Sequence, residues 1–269
     1  MERIVHIVPL GWEYDRVVLP VRLLKAHRVY LLCKPSEDPE RRYFLEKVTR
    51  RLERDGVQVK HRDVDSNLDT IGLMREVFGI IIEESAAGNR ILINIASAGK
   101  VAALAVSLAA MAHLPRDSGG LYYPIAKDYT RTEKDRLKHG LARGLSGDPV
   151  SLPHFRIQLP AHPADWLLAD IAASPGHRLG YDAMIPRCID WKISGFKIPS
   201  GDRHEIRMMR NRNSVQFNKR VVQKLRNLDL VKIENEGKAR ALILTVAGLH
   251  VASLCPAGPT KNRLENGRK

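Results

Sequence analysis

Short apolar runs alternate with stretches of helical spacing through the first 125 residues. Arg3–Val8 (RIVHIV) is a β-branched run that ends in Pro9-Leu10-Gly11 and reads as a buried strand. Asp15 is placed to cap a helix reaching about Lys25, with Val17, Val18, Val21 and Leu24 at helical spacing. Arg28–Cys33 is a second strand, Pro35–Pro39 a loop, and Glu40–Arg54 a helix with Tyr43, Phe44, Val48 and Leu52 on one face. Val57–Val64 alternates apolar and polar and reads as a third strand, and Ser66–Asp69 opens a helix that ends at Gly88. Arg90–Ile95 is continuous in apolar character, so it is a central strand, and Ala98–His113 is a buried helix. Gly120–Ile125 is a fifth strand and Phe155–Leu159 a sixth. This alternation predicts an α/β fold, a doubly wound, mainly parallel, Rossmann-like sheet.

In such sheets ligands bind outside the carboxyl ends of the strands, near the reversal of strand order. Two loops qualify: Pro9–Asp15 (PLGWEYD) after the first strand, and Asn94–Val101 (NIASAGKV) after the fourth. Small residues let a ligand approach the backbone, a helix N-terminus offers amide donors, and Lys100 adds positive charge. The candidate ligand residues are Leu10, Gly11, Trp12, Asp15, Asn94, Ser97, Ala98, Gly99 and Lys100. Neither GxGxxG nor GxxxxGK[ST] occurs, so a dinucleotide fingerprint and a P-loop are excluded. The competing reading is a tight strand-to-helix turn whose small residues serve packing. His6, in mid-strand, reads as a packed core histidine. Trp12, Glu13, Tyr14 and Asp15 offer acid–base groups in a loop, but capping by Asp15 and packing by Trp12 are the preferred readings. No catalytic triad or metal-ligand cluster is visible, so the chain is not read as an enzyme and needs no cofactor.

The chain has 269 residues and a net charge of +14. Residues 1–160 carry 25 Lys/Arg against 20 Asp/Glu, whereas residues 161–269 carry 19 against 10, so the smaller part holds most of the excess. That distribution points to a polyanionic partner for the C-terminal part. The expected organisation is a sensor domain over 1–160, a second domain over 161–255, and a polar, disordered tail over 256–269. Asp165–Ala173 is an amphipathic helix with Trp166, Leu167 and Ile171 inward, and Gly180–Ile193 holds a second helical pattern interrupted by Pro186. Arg207–Leu228 is a third helix with Val215, Val221, Val222, Leu225 and Leu228 on its apolar face. Leu230–Glu234 and Arg240–Thr245 flank a glycine turn, and Val246–Leu254 is a closing helix. Three helices followed by a hairpin is the order of a winged helix-turn-helix domain, whose last helix before the hairpin enters the major groove of double-stranded DNA. Residues 203–226 hold eight Lys/Arg and one acid, Glu205. The candidate DNA-binding residues are Arg207, Arg210, Arg212, Asn213, Ser214, Gln216, Asn218, Lys219 and Arg220 on the helix, with Lys238 and Arg240 on the hairpin. A winged helix used only for dimerisation or protein binding is the alternative.

Cys33, Cys188 and Cys255 are odd in number and far apart, which suggests reduced thiols in a cytoplasmic protein. The longest apolar run, Val101–Leu114, is shorter than the ~20 residues that span a bilayer, so no membrane partner is expected.

The segment HIVPLGWEYDRVVLPV resembles the opening of archaeal regulators that join a CRISPR-associated Rossmann-fold (CARF) or CARF-like domain to a winged helix. NIASAGKVAALAVSLAA resembles their second signature, in which Asn, an aliphatic residue, Ser/Thr, Gly, Gly, Thr and Lys/Arg lead into an apolar helix. Asn94 and Lys100 match that signature, while Ala96, Ser97, Ala98 and Gly99 stand where the family has Ser/Thr, Gly, Gly and Thr. The resemblance implies a homodimer that senses an anionic nucleotide such as cyclic oligoadenylate across its two-fold axis and regulates transcription. Its alternative implication is a ring nuclease that cleaves that ligand, with the winged helix used for assembly.

Overall fold

The computed structural model describes residues 2–34, 39–64, 69–153, 155, 157, 159–236 and 239–256. The chain divides into two compact units, Met1–Ile157 and Gln158–Lys269. In the first, the described elements are β1 (Ile4–Pro9), α1 (Asp15–Leu23), β2 (Arg28–Leu32), α2 (Pro39–Arg54), β3 (Gln58–Arg62), α3 (Thr70–Ala86), β4 (Arg90–Asn94), α4 (Lys100–His113), β5 (Gly119–Tyr123), β6 (Ala126–Tyr129), α5 (Glu133–His139), β7 (Ala142–Leu145) and β8 (Val150–Leu152). Six strands form one sheet in the order β3-β2-β1-β4-β5-β8, parallel from β3 to β5 and antiparallel at β8. The chain winds outward from β1 through β2 to β3, then returns to place β4 on the other side of β1. The reversal therefore falls between β1 and β4, and the loops that leave these two strands meet above it.

Alternation along each strand assigns its side chains to the two faces. Val8, Val29 and Leu31 pack with Val17, Val18 and Val21 of α1 and with Val48 and Leu52 of α2. Helices α3 and α4 pack on one another. At the start of β2, the buried Glu84 carboxylate accepts from Arg28 Nη1 (2.5 Å), Tyr30 Oη (2.5 Å) and Asn89 Nδ2 (2.6 Å), which satisfies its charge.

His6 is fully buried in β1, and its Nδ1 shares a hydrogen bond with Tyr122 Oη at 2.9 Å. Among the described residues its Nε2 has no partner, and burial drives its pKa down to about 3. Folded His6 therefore stays neutral while the unfolded chain takes up a proton below pH 6.5. Stability is complete above that pH and is lost as pH falls toward 3. Between pH 6.5 and 4.5 the loss should be about 2–3 kcal/mol from this group. Urea unfolding of the parent and of His6→Leu at both pH values measures it, and equal losses in the two proteins would remove His6 as the cause.

The structure corrects several expectations. The sixth strand is β8, not Phe155–Leu159; Pro153 ends its pairing, Phe155 is 65% exposed, and residues 154, 156 and 158 lie outside the described residues. The fifth strand stops at Tyr123, because Pro124 has no N–H to continue the ladder. The two-stranded β6–β7 sheet, which carries α5 between its strands, fills a stretch that showed no clear pattern in sequence. Tyr14, not Asp15, is the N-cap of α1. The loop expected at 35–39 and the helix start at Ser66–Leu68 lie outside the described residues, apart from Pro39, which opens α2. Asp69 caps α3, its side chain accepting from the Gly72 N–H.

The second unit contains α6 (Ala164–Ala173), β9 (Arg178–Gly180), α7 (Tyr181–Asp190), α8 (Arg203–Phe217), α9 (Gln223–Asn227), β10 (Val231–Glu236), β11 (Ala239–Leu244) and α10 (Val246–Ala252). Its antiparallel sheet has the order β10-β11-β9. Leu167, Leu168, Ile171, Met184, Cys188, Phe217, Val221, Leu225 and Leu242 make its core. Asp202 and Glu205 form a reciprocal capping box, so α8 begins at Arg203 and not at Arg207. A π-helical turn, Asn218–Val222, joins α8 to α9. That turn shifts the helical phase, so Phe217 packs inward while Val215 (65%) is exposed, and Leu228 (55%) is exposed as the C-cap of α9, both contrary to the periodicity read from sequence. Trp166, expected inward, is half-buried and meets Trp191 edge-on at 5.4 Å. Pro186 lies inside α7 without ending it. The glycine turn of the hairpin, Lys238 and the tail beyond Pro256 lie outside the described residues.

Candidate ligand pocket and basic surface

Three hydrogen bonds lock the loops after β1 and β4 together. The Gly11 N–H donates to the Ser97 carbonyl (2.8 Å), and Ser97 Oγ donates to the Pro9 carbonyl (2.7 Å). Asn94 Nδ2 donates to the Arg16 carbonyl (2.8 Å), while its Oδ1 accepts from the Ala96 N–H (2.9 Å). A Cβ on Gly11 would stand 3.1 Å from the Ser97 carbonyl oxygen, so the close approach of the two loops favours glycine. Asn94 and Ser97 are fully buried. Their polar side chains are used to brace the turn.

A cavity of about 410 Å³ opens over these loops. Gly11, Trp12 and Glu13 line it from one loop, and Ala96, Ser97, Ala98 and Gly99 from the other. Arg16 of α1, Arg41 of α2, Tyr129 of β6 and Leu141, just before β7, complete it. Gly99 is the N-cap of α4 and offers no side-chain cap, so the first-turn amides of a 14-residue helix lack one. Lys100, at the first position of that helix, is exposed. Two guanidinium groups and a helix N-terminus, the kinds of donor that hold anions, thus border one cavity.

Its third wall comes from the β6–β7 hairpin. Asp15, buried, accepts from the Gly144 N–H (2.8 Å) and pairs with His139 Nδ1 (2.9 Å), so it ties the hairpin down. Tyr43 Oη and Lys47 Nζ of α2 donate to the Leu137 carbonyl. Arg16 is buried, with Nε donating to the Pro124 carbonyl (3.1 Å) and the guanidinium 5.1 Å from the Tyr123 ring centre. Its Nη1 lies 3.3 Å from Glu13 Oε1. Glu13 is 4% exposed, and burial pushes its carboxyl up to about 7 despite the pull of Arg16.

No curated protein matches the chain. The family described as "HFX_2341_N:-like, N-terminal" matches residues 4–129, the span from β1 through β6. Among solved structures, Enterococcus italicus Csm6 bound to cyclic hexa-2'-fluoro-hexa-dAMP is similar at 11% identity, over 85% of this chain and 55% of that one, with a TM-score of 0.41. Can2 from Sulfobacillus thermosulfidooxidans in complex with cyclic tetra-adenylate is similar at 13% identity, over 93% and 63%, with a TM-score of 0.37. Protein VC1899 from Vibrio cholerae is similar at 8% identity, over 93% and 64%, with a TM-score of 0.40. The chain spans less than two thirds of the length of each.

Of the nine candidate ligand residues, Gly11, Trp12, Ser97, Ala98 and Gly99 line the cavity, and Lys100 is not among its lining residues. The structure puts Leu10 and Asn94 in the core and Asp15 in the hairpin contact. Arg16, Arg41, Tyr129 and Leu141 were missed. Arg16 stood directly after Asp15 as a signal, whereas Arg41 reaches the cavity from a helix whose basic residues read as a solvated face. Among the described residues no group of three or more His, Cys, Asp or Glu is placed to hold a metal ion, and no helix is long and apolar enough to cross a membrane.

In the second unit, Arg207, Arg210, Arg212, Lys219, Arg220 and Arg240 are exposed, and Ser214, Gln216 and Asn218 are half-buried. Asn213 is 2% exposed and clamps Lys197, accepting from its N–H (3.3 Å) and donating to its carbonyl (2.8 Å), which takes it out of the surface. Asn218 accepts from Tyr181 Oη (3.3 Å) and donates to the Ser214 carbonyl (3.1 Å). Arg220 donates to the Ser194 carbonyl. Arg210, Ser214 and Arg240 line a cleft of about 730 Å³ with Tyr181, Ile185 and Pro199.

Proposed function

We propose that this protein is a ligand-responsive, DNA-binding transcriptional regulator. A CARF-like sensor unit takes an anionic nucleotide, and a winged helix-turn-helix unit binds double-stranded DNA. The observation that carries the sensor reading is the cavity in which Arg16 and Arg41 face the N-terminus of α4 at the reversal of strand order. Cyclic oligoadenylate is the ligand class that the two motif resemblances suggest. The basic exposed face of α8, followed by the β10–β11 hairpin, supports the DNA-binding reading. A homodimer is supported by Val101 (51% exposed) and Leu104 (61% exposed) on α4 beside the cavity, an apolar pair at helical spacing. Ligand binding shifts the dimer between arrangements that fit paired half-sites differently, which requires different ligand affinity in the two. A second reading, cleavage of the ligand in the same cavity, is favoured by the Glu13 carboxyl, which exchanges a proton near neutral pH.

Fluorescence anisotropy of a labelled duplex from upstream of the chain's own gene tests both roles. It is read at two salt concentrations, with and without cyclic tetra-adenylate. Salt-sensitive binding that the ligand alters is the expected result. Binding indifferent to the adenylate removes it as the signal and leaves a DNA-binding regulator, no binding removes the DNA role, and loss of the adenylate over time selects the nuclease reading.

A further inference from the structure

The cavity described above holds two guanidinium groups and one carboxyl, that of Glu13. Glu13 and Arg16 are 4% and 7% exposed, so neither is solvated. Their contact is weak for a buried pair: 3.3 Å from Arg16 Nη1 to Oε1, with the other oxygen accepting from the Ala142 N–H at 3.3 Å. Charge-assisted bonds of this type are commonly about 2.7–2.9 Å. The carboxylate and an incoming phosphate would compete for the same guanidinium, and two anions beside one Arg repel.

We infer that an anionic ligand takes Arg16 from Glu13 and that Glu13 binds a proton as it does so, making ligand binding proton-coupled. This rests on the anion-site reading of the cavity. The carboxyl already stands at about 7 in the free pocket, because burial opposes its charge more than Arg16 favours it. Removing the Arg16 contact and adding a phosphodiester raises it further. The proton therefore moves from solvent to Glu13, and affinity rises as pH falls from 8 to 6. The neighbouring groups differ in their response. Asp15 is held by His139 and the Gly144 N–H, facing the hairpin. Arg41 from α2 and Tyr129 from β6 line the cavity as well, Lys100 stands at the first position of α4, and burial raises the Tyr14 phenol further above this range. His139, through its pair with Asp15, is the second titratable group that the hairpin brings near the cavity.

The test is isothermal titration calorimetry of the full chain with cyclic tetra-adenylate, whose phosphodiesters keep their charge throughout this range. Runs at pH 7 in buffers of different ionisation enthalpy count protons. With a free-pocket value of about 7, uptake of about half a proton per Glu13 is expected, with affinity several-fold tighter at pH 6 than at pH 8. Glu13→Gln, which keeps the shape of the protonated acid, should bind equally at both pH values without uptake. Chromatography of the recovered ligand confirms that it is intact. Binding by the parent without proton uptake overturns the inference while leaving the anion site standing. Uptake that persists in Glu13→Gln assigns the proton to His139 and also overturns it. No binding of the adenylate at any pH removes the anion-site reading itself, and the inference with it. Should Glu13→Gln fail to fold, His139→Gln makes the same assignment: uptake retained in it supports Glu13, and uptake lost in it overturns the inference.

Discussion

Gly140→Val should destabilise the first unit by about 3–5 kcal/mol and abolish ligand binding in the cavity, the strain and overpacking terms adding. Gly140 has φ of +87°, a conformation that a β-branched residue strongly disfavours. A Cβ there would stand 2.6 Å from Tyr14 N, 2.7 Å from Glu13 Cα and 2.8 Å from the Trp12 carbonyl oxygen. All three are backbone atoms of the loop after β1, so no side chain can swing aside. The loop and hairpin are joined at this point: Glu13 and Gly140 form an isolated bridge, and the Leu141 N–H donates to the Trp12 carbonyl at 3.0 Å. Forcing them apart removes Leu141 and Tyr129 from the cavity and exposes Glu13 and Arg16 to water. Urea unfolding and titration with cyclic tetra-adenylate measure the two effects. Gly147→Ala is the control, since Gly147 has φ of +105° with nothing within 4 Å of an added methyl group, and should cost only the strain of about 1 kcal/mol. Equal losses at the two glycines would show that strain, not the loop contact, governs the site.

The dependence on this hairpin explains what could be read from sequence and what could not. The strands β1, β2 and β4 were legible because burial on both faces demands apolar runs such as RVYLL and RILIN. The two loops at the reversal of strand order followed from that, and Gly11, Ser97, Ala98 and Gly99 with them. The β6–α5–β7 segment was illegible because it buries little: none of the residues of α5 is buried, and β6 reads AKDY. It is held by polar groups at long range, with Asp15 on Gly144 and His139 and Lys47 on the Leu137 carbonyl. No local pattern encodes such pairings. Arg16, and the depth at which Glu13 lies beside it, were hidden for a related reason. Their chemistry comes from burial by that same segment, and a charged residue in a sequence carries no mark of how deeply it will lie. In the second unit the periodicity misplaced Val215 because it assumed an uninterrupted α-helix across the π-helical turn at Asn218–Val222.

The double substitution Arg210→Glu and Arg240→Glu should weaken duplex DNA binding at least 100-fold at moderate salt, given the ionic contribution of phosphate contacts. Arg210 lies on α8 and Arg240 on β11, yet both line one cleft with Ser214 and Tyr181. Both are exposed, so neither has a large desolvation cost to offset a phosphate contact. On the proposed winged-helix reading, a helix and a hairpin that present arginines to one cleft would hold a phosphate backbone between them. If each arginine neutralises one phosphate, the slope of log affinity against log salt should fall by roughly two in magnitude. Reversing both charges adds repulsion to that loss. The control is an equal change in net charge on the first unit, Arg50→Glu with Arg75→Glu, two exposed residues on α2 and α3. It should leave the salt slope unchanged, because only residues that neutralise a phosphate release counterions. Equal weakening by both pairs would mean that the protein's +14 charge acts as a whole, and that the cleft is not where DNA sits.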